Sequence, residues 1–254
     1  MEMFKARCSQ LSKIMSDPKA KKDKEAGNLS ATCKTHVEQY LKEKLYGRYF
    51  EIDTLPIRKG NEKEIEATAL VSKVLCAKLI RENKLLFNDY LTGHLDIDHA
   101  ENRVIIDTKI CKDFSTFPIL DAEIELAYYW QGQGYMDLTG YDECWFAKCA
   151  INTPTHELER MEKAKWFQLI DIFGDESDDN FVMNHEAFMR DLFMKHVVDN
   201  NITIKGFNLD TLGIPEIPIE KRVKIIKVQR CQEDIKLIEP RVNQIRQFLT
   251  NFKG

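Results

Sequence analysis

The sequence has no long run of apolar residues. No window approaches the roughly 20 consecutive apolar residues that a membrane-spanning helix needs. The opening segment, MEMFKARCSQLSKIM, also lacks the apolar stretch of a secretory signal peptide. The sequence therefore predicts a soluble cytoplasmic protein with no membrane partner.

The sequence also lacks the short cysteine and histidine spacings that hold structural metals. Its seven cysteines are scattered without a C-x-x-C pair, and its six histidines show no H-x-x-H spacing. An odd number of dispersed cysteines is typical of reduced thiols and argues against a disulfide framework or a zinc site.

No repeat, low-complexity stretch or Gly/Ser/Pro-rich linker divides the chain, so we predict a single domain over residues 1–254. Apolar residues make up 43% of the sequence, enough for a sizeable core. The net charge of −4 argues against a purely electrostatic nucleic-acid binder. Local basic patches remain, and we predict that one of them, Pro18–Lys24, is a loop that holds phosphate.

Apolar spacing predicts several helices before and after a group of short strands. The early helices are expected over about Ser9–Met15, with Ser9 as N-cap, over Ser30–Leu45, and from Gly60 to about Glu82. A later helix is expected over about Asp121–Leu138. Helices, then a strand meander, then alternating helix and strand predict an α/β protein with a mixed central sheet flanked by helices.

The stretch GHLDIDHAENRVIIDTKI, residues 93–110, predicts two strands joined by a turn at His99–Asn102. In that register Asp98 faces Arg103. Because side chains alternate along a strand, Asp96, Asp107 and Lys109 fall on one face. On that face Asp96 and Asp107 are diagonal neighbours, and two neighbouring carboxylates repel unless a cation lies between them. Mg²⁺ suits such a place, because it is bound by one or two carboxylates together with water and phosphate.

The same residues also fit a surface hairpin with a charged exposed face. An acid, any residue and a lysine also occur at Asp17–Lys19, Glu82–Lys84 and Asp234–Lys236, so the bare pattern decides nothing. Asp107-Thr108-Lys109 differs because it ends an apolar strand that follows a second acidic strand at hairpin distance. The hairpin alone leaves both interpretations open.

A set of motifs in order resembles a known family. Gly93-His94-Leu95-Asp96, Ile106-Asp107-Thr108-Lys109 and Gln131-Gly132-Gln133-Gly134-Tyr135-Met136 are similar to the motifs of PD-(D/E)xK nucleases. Within that superfamily the sequence most resembles the phage-type recombination exonucleases, the lambda exonuclease and YqaJ group. Upstream, RKGNEKEIEA resembles their first acidic motif, and KARCSQLSKIM resembles their Arg-x-Ser segment. The resemblance covers about residues 5–150 and implies a restriction-endonuclease-like core.

The resemblance assigns roles to individual residues. It implies that Asp96 and Asp107 ligate a divalent metal, with the Thr108 carbonyl and Glu64 as further ligands. Glu62 and Glu66 are rivals to Glu64 in the same glutamate-rich turn.

Five further residues complete the implied site. Lys109 would position the attacking water, and Gln131 and Tyr135 match a Gln-x-x-x-Tyr motif beside the active site. Arg7 and Ser9 would bind a terminal phosphate, although an ordinary N-cap beside a solvated arginine fits them equally well.

The activity implied is Mg²⁺-dependent hydrolysis of DNA from double-stranded ends in phage-type recombination or replication, with Mn²⁺ able to substitute. The resemblance also suggests a single-strand annealing or recombinase partner, a ring-shaped homo-oligomer, and the cytoplasm of a bacterial or phage-infected cell. Dispersed Cys144, Cys149 and Cys231 argue against an iron-sulfur cluster. Alternatives are an endonuclease or a repair or defence nuclease on the same fold, or a DNA-end-binding protein without turnover.

After about residue 180 the sequence predicts a helix, a loop with Pro215 and Pro218, a basic strand and a final helix. Three roles are open to this segment: bracing the sheet, forming an oligomer interface or extending the DNA channel.

Overall fold

The computed structural model describes residues 3–49, 52–120 and 124–251. The strands are β1 Ala6–Arg7, β2 Lys84–Phe87, β3 Leu91–Leu95, β4 Ile97–His99, β5 Val104–Ile110, β6 Glu143–Cys149 and β7 Val223–Gln229. The helices are α1 Leu11–Ile14, α2 Lys21–Glu25, α3 Ala31–Tyr46, α4 Leu55–Val74, α5 Leu126–Thr139, α6 Thr155–Phe173, α7 Asp179–His196, α8 Gln232–Ile235 and α9 Ile238–Thr250. Within these described ranges no helix is long and apolar enough to cross a bilayer.

The strands form two mixed sheets. In the smaller sheet, of order β1-β3-β2, β1 runs parallel to β3 and β2 antiparallel to it. In the larger sheet, of order β4-β5-β6-β7, the central pair β5 and β6 is parallel and both outer pairs are antiparallel. The predicted α/β class with mixed strands flanked by helices is confirmed.

The larger sheet is covered by a helix on each face. Val104 and Ile106 of β5 pack with Ala67 and Val71 of α4. Ile105, from the opposite face of β5, packs with Met136 of α5. This alternation follows from the period of two along a strand, and it places Asp107 and Lys109 on the α5 side.

Two further clusters surround this centre. Apolar residues of α1, α3 and α9 pack together with Phe4 and Leu91. Helices α6 and α7 pack against each other, with Leu158, Met189 and Phe193 at their contact. The carboxyl-terminal part of the chain thus contributes β7 to the larger sheet and α9 to the packing around the amino-terminal helices.

Helix α3 has the predicted boundaries. The Ser30 hydroxyl accepts the backbone N–H of Cys33 at its start, and Gly47 ends it with φ of 60°. The predicted Gly60–Glu82 helix is wrong at both ends, because α4 begins at Leu55 and ends at Val74. Pro56 fits the first turn, where no intrahelical N–H bond is needed, and the helix continues through Gly60.

The amino-terminal predictions also need correction. Ser9 is not an N-cap, because Cys8–Gln10 form a 3₁₀ turn and the α-helix starts at Leu11. The predicted basic loop Pro18–Lys24 contains α2, and Lys24 lies 2.7 Å from Asp17 in an ion pair. The first residues of the predicted Asp121–Leu138 helix, 121–123, lie outside the described residues, and α5 begins at Leu126.

The predicted hairpin register is wrong by two residues. Asp98 pairs with Ile105 and His99 with Val104, so Asp98 does not face Arg103. The connection is a 3₁₀ turn at Ala100–Asn102 followed by Arg103 in the left-handed region. The predicted grouping of Asp107 with Lys109 does not depend on this register, because the two residues lie two apart on the same strand.

Candidate active site

The second half of β5 carries an ion pair whose carboxylate is buried. Asp107 is 3% exposed, and Lys109 Nζ lies 2.6 Å from its Oδ1 atom. The rings of Tyr128 and Phe146 lie 5.6 and 5.7 Å from the same ammonium group. Lys109 is therefore partly buried, with 28% of its side chain exposed, and Asp107 is its anionic partner.

Gln131 and Tyr135 of α5 lie at the other oxygen of Asp107. Gln131 Nε2 donates to Asp107 Oδ2 at 2.9 Å and lies 2.9 Å from the Tyr135 hydroxyl. That hydroxyl donates to the backbone carbonyl of His94, also at 2.9 Å. One helical turn separates Gln131 from Tyr135, so both reach the same strand. The structure thus brings four of the sequence-predicted residues together.

Burial controls protonation in this group. It raises the pKa of Asp107 above its ordinary value, although Lys109 opposes the shift. Burial lowers the pKa of Lys109, but the Asp107 carboxylate outweighs it and the pKa of the ammonium group lies above its ordinary value. Burial also raises the pKa of Tyr135. At neutral pH Lys109 is therefore a cation and Tyr135 a neutral hydroxyl.

Asp96 lies where the chain passes from one sheet to the other, between the end of β3 and the start of β4. The predicted continuous strand through Asp96 is therefore wrong. Thr108 donates to Asp96 Oδ2 from both its backbone N and its Oγ1, each at 3.0 Å. The charge of Asp96 also raises the pKa of Asp107, so the two aspartates interact.

Arg81 joins Asp96 to Glu64. Its Nη1 lies 3.1 Å from Asp96 Oδ1, and its Nη2 lies 2.7 Å from Glu64 Oε2. The backbone N–H of Glu82 donates to the Asp96 carbonyl at 2.9 Å, which sets Arg81 beside Asp96. Sequence reasoning missed Arg81, because a backbone contact across 14 residues leaves no local signal.

The same contacts distinguish Glu64 from its rivals on α4. Glu66 pairs with Lys63 at 2.7 Å, and Glu62 lies 3.8 Å from His156. Of these three glutamates, Glu64 is the one that Arg81 links to Asp96.

Arg7 and Ser9 lie in the amino-terminal segment beside β3, where Arg7 pairs in register with Thr92. Both are exposed, whereas Cys8 between them is buried. None of the ion pairs among the described residues involves Arg7. The pKa of His36 is lowered by burial and by the charges of Lys13 and Arg7, which places both cations near one imidazole.

With this geometry in view, the chain can be compared with known proteins. No protein-family model matches the sequence, and no curated protein matches it. Among solved structures, a phage-related exonuclease from Haemophilus somnus 129PT is 26% identical, with a TM-score of 0.69. The match covers 99% of this chain and 97% of that chain. The predicted resemblance to the phage-type exonucleases of the PD-(D/E)xK group is confirmed at the level of the fold.

An alkaline exonuclease from Laribacter hongkongensis, LHK-Exo, shares the exonuclease fold at lower similarity. Its structure is 14% identical with a TM-score of 0.53, and its complex with dAMP is 15% identical with the same TM-score. Each match covers 97% of this chain and 88% of that chain.

The exonuclease likeness implies a divalent metal in general terms, and the donor set suits one. Asp107 Oδ1 is buried without a hydrogen-bond partner, its contact being the ion pair with Lys109. Among the described residues, no three Asp, Glu, His or Cys side chains gather closely enough to hold a metal between them. Mg²⁺ needs only one or two carboxylates when water and phosphate complete its shell, so Asp96 and Asp107 fit it.

A second lysine beside the site was also missed by sequence reasoning. The parallel pairing of β5 with β6 sets Lys148 opposite Lys109. Lys148 Nζ lies 2.6 Å from Glu125 Oε1 and 5.1 Å from the centre of the Tyr128 ring. The register between two strands separated by a helix is not readable from sequence, so no motif could have revealed this pair.

Proposed function

We propose that this exonuclease-like protein is a Mg²⁺-dependent deoxyribonuclease that removes nucleotides from the ends of double-stranded DNA during phage-type recombination or replication. The observation that carries the proposal is the arrangement around Asp107. Lys109 contacts one carboxylate oxygen, while Gln131 contacts the other and Tyr135 lies beside it. The likeness to a phage-related exonuclease over 99% of this chain supports the exonuclease class.

Asp96 and Asp107, with Glu64 behind Arg81, are the residues proposed to hold the cation. Thr108 fixes the Asp96 carboxylate through two hydrogen bonds; a further role for its carbonyl as a ligand stays a prediction. A divalent cation bound there would supply positive charge against the scissile phosphate and the departing oxygen.

Lys109 is proposed to act as a cation and hydrogen-bond donor. Because Asp107 raises its pKa, the ammonium group keeps its proton at neutral and mildly alkaline pH. A charged lysine can orient an attacking water and stabilise negative charge on the phosphate, but it cannot accept the proton of that water. Asp107 would therefore act as a ligand of the cation, and Lys109 as a positive charge beside the water and the phosphate.

Gln131 and Tyr135 are proposed as positioning residues. They hold Asp107 Oδ2 from the α5 side, which leaves Oδ1 toward Lys109. Because the Tyr135 hydroxyl donates to the His94 carbonyl, the same contact also ties α5 to β3. Such a second layer of hydrogen bonds fixes the orientation of a ligating carboxylate.

Arg7 and Ser9 are proposed to bind the terminal phosphate of the DNA. Their exposure, the nearby charge of Lys13 and the absence of a described carboxylate partner for Arg7 all favour an anion there. Charged contacts to phosphate position nucleic acid without reading its sequence, as an exonuclease requires.

Digestion of end-labelled linear duplex DNA, beside a covalently closed circle, tests the proposed function. We expect the wild type to degrade the linear DNA in Mg²⁺ or Mn²⁺ and not in EDTA. Asp107→Asn removes the charge without changing the shape and should abolish degradation. Asp98→Asn is the matched control, because Asp98 lies on the same hairpin but accepts from Tyr141 and pairs with Lys84.

Other outcomes point to the alternatives. Cleavage of the closed circle would indicate an endonuclease. Retention of linear DNA without cleavage, in wild type and Asp107→Asn alike, would indicate an end-binding protein and overturn the catalytic assignment.

The predicted ring-shaped oligomer rests on the family resemblance, and its mass can be measured by light scattering. The predicted annealing partner can be tested by co-purification with a single-strand annealing protein.

A further inference from the structure

We propose that Arg81 is a built-in counter-ion that occupies the metal-binding face of Asp96 and Glu64, so that a divalent cation must displace Arg81 from Asp96 in order to bind. The inference rests on the proposed function, because it concerns the same carboxylates. It adds a residue that no motif of the chain identifies and gives it a definite effect on metal affinity.

The two oxygens of Asp96 are not equivalent. Thr108 donates to Oδ2 from its backbone N and its hydroxyl, each at 3.0 Å. Those two bonds use the lone pairs of Oδ2 and fix the carboxylate against β5. Oδ1 is therefore the oxygen left for a cation, and it is the oxygen that Arg81 contacts at 3.1 Å.

The contact with Asp96 is the weaker of the two that Arg81 makes. Its Nη2 lies 2.7 Å from Glu64, whereas its Nη1 lies 3.1 Å from Asp96 and, although buried, lacks a well-aligned hydrogen bond. A buried donor that is poorly aligned contributes less than an aligned one. Arg81 can thus release Asp96 more readily than it releases Glu64.

Charge explains why an arginine lies there. Without a cation, Glu64 and Asp96 would be two partly buried like charges, with 40% and 18% of their side chains exposed. Such a pair destabilises the fold unless it is neutralised. Arg81, itself 17% exposed, supplies that neutralisation in the metal-free protein.

Removing Arg81 should therefore act in opposite directions on stability and on metal binding. The metal-free protein loses the cation that separates its carboxylates, while a divalent cation gains free access to Asp96 Oδ1. Asp96 stays oriented, because Thr108 holds it independently of Arg81. A purely structural role for Arg81 would instead lower both quantities together.

The test measures Mn²⁺ binding to the DNA-free protein, from the electron paramagnetic resonance signal of free Mn²⁺, beside thermal unfolding in EDTA and in Mn²⁺. For Arg81→Gln we expect Mn²⁺ affinity to rise about tenfold, as for a nearby like charge removed from a cation site. We also expect the midpoint of thermal unfolding in EDTA to be about 3 °C lower than that of the wild type. Mn²⁺ should then raise the midpoint of the variant more than that of the wild type.

Two further variants sharpen the comparison. Lys84→Gln removes one positive charge from the same region, but Lys84 pairs with Asp98, so Mn²⁺ affinity should change by less than about twofold. Arg81→Lys keeps the charge and can contact one carboxylate at a time, so its affinity should fall between wild type and Arg81→Gln. If Arg81→Gln does not fold, Arg81→Lys alone shows whether Mn²⁺ affinity rises or falls when the contact of Arg81 is weakened.

Each outcome separates this inference from the proposed function. Equal or weaker Mn²⁺ binding by the Arg81 variants, with binding abolished by Asp107→Asn, would overturn the role of Arg81 and leave the metal site in place. No saturable binding by wild type or any Arg81 variant would overturn both. Tighter binding by Arg81→Gln, lost again when Asp107→Asn is added, supports both.

Discussion

Thr108 donates both its backbone N–H and its hydroxyl to the same oxygen of Asp96, each over 3.0 Å. One residue of β5 thereby fixes the carboxylate that follows β3, at the point where the two sheets separate. Thr108 therefore positions the Asp96 carboxylate, besides separating Asp107 from Lys109 so that both lie on one face of β5.

Thr108→Val tests this contact, because valine keeps the β-branched shape and the backbone N–H but loses the hydroxyl. We expect kcat/KM on linear duplex DNA to fall about tenfold, since a hydrogen bond to a charged group contributes about 1.5 kcal/mol or more. The control is Thr35→Val, whose hydroxyl bonds to Ala31 O within the exposed face of α3. An unchanged rate in Thr108→Val would show that the backbone bond alone orients Asp96.

Local periodicity accounts for the part of the site that sequence could predict. Asp107 and Lys109 share a face because a strand has a period of two, and Gln131 and Tyr135 share a face because they are one helical turn apart. Both relations survive errors in element boundaries and in register, so a prediction that misplaced the hairpin turn still grouped these residues correctly.

Contacts between distant segments account for the rest. Arg81 reaches Asp96 because the N–H of Glu82 bonds to the Asp96 carbonyl, and Lys148 lies beside Lys109 because β5 and β6 are parallel neighbours. Neither pairing has a local pattern. The break at Asp96 likewise arises because β3 and β4 belong to different sheets, which alternation of side chains cannot reveal. The single-domain assignment stays a prediction.

Tyr135→Phe removes the hydroxyl that connects Gln131 to the His94 carbonyl while leaving the ring in place. We expect the free energy of unfolding to fall by about 1 kcal/mol and kcat to fall about tenfold, because Asp107 loses part of its support. Urea unfolding and single-turnover digestion measure the two effects. Tyr128→Phe is the matched control on the same helix, since its ring beside Lys109 is retained. Equal effects of both variants would contradict a specific role for the Tyr135 hydroxyl.

Substitution by alanine should lower the stability of the protein at Gly134 of α5 and preserve or raise it at Gly132. A Cβ at Gly134 would lie 2.5 Å from Leu11 Cδ1 and 2.9 Å from Cys8 Sγ, so the segment that carries Arg7 and Ser9 must move. We expect Gly134→Ala to cost about 1–3 kcal/mol of stability. At Gly132 the nearest atoms lie at 3.4 Å, and the helix gains roughly 1 kcal/mol of propensity.

Thermal unfolding of the two variants measures this difference directly. Gly132→Ala should match or exceed the wild type, whereas Gly134→Ala should unfold at a lower temperature. Similar midpoints for the two would show that the amino-terminal segment adjusts freely and is not anchored on α5.

Cys33 should make stability depend on alkaline pH. Burial raises the pKa of its thiol from 9.0 to about 11. As pH rises through this range the unfolded chain releases the proton first, so the free energy of unfolding falls, by about 3 kcal/mol in total from this group. Below about pH 9 the group has no effect, because both states keep the proton.

Urea unfolding of wild type and Cys33→Ala between pH 7 and 11, under reducing conditions, isolates this contribution. We expect the difference between the two proteins to be constant up to about pH 9 and then to narrow as the wild type loses stability. The other buried thiols are common to both proteins and cancel. Parallel pH profiles would mean that the Cys33 thiol titrates normally in the folded protein.

Arg7→Gln should remove discrimination between DNA ends. If Arg7 binds the terminal phosphate, the wild type degrades phosphorylated ends faster than hydroxyl ends, and the variant loses roughly tenfold on the phosphorylated substrate, as expected for one charge-assisted contact. Duplexes with phosphate at the 5′ ends, the 3′ ends or neither distinguish the end recognised. Ser9→Ala should also slow degradation of the phosphorylated substrate alone, by a smaller factor than Arg7→Gln.

Lys5→Gln is the matched control, because Lys5 lies in the same segment but places its ammonium group 4.8 Å from the Phe87 ring. It removes one positive charge, so binding to every duplex should weaken slightly and equally. A uniform loss for Arg7→Gln, equal on phosphorylated and hydroxyl ends, would place Arg7 among such general backbone contacts. A loss confined to one phosphorylated end would identify the terminus from which the enzyme starts, and with it the polarity of digestion.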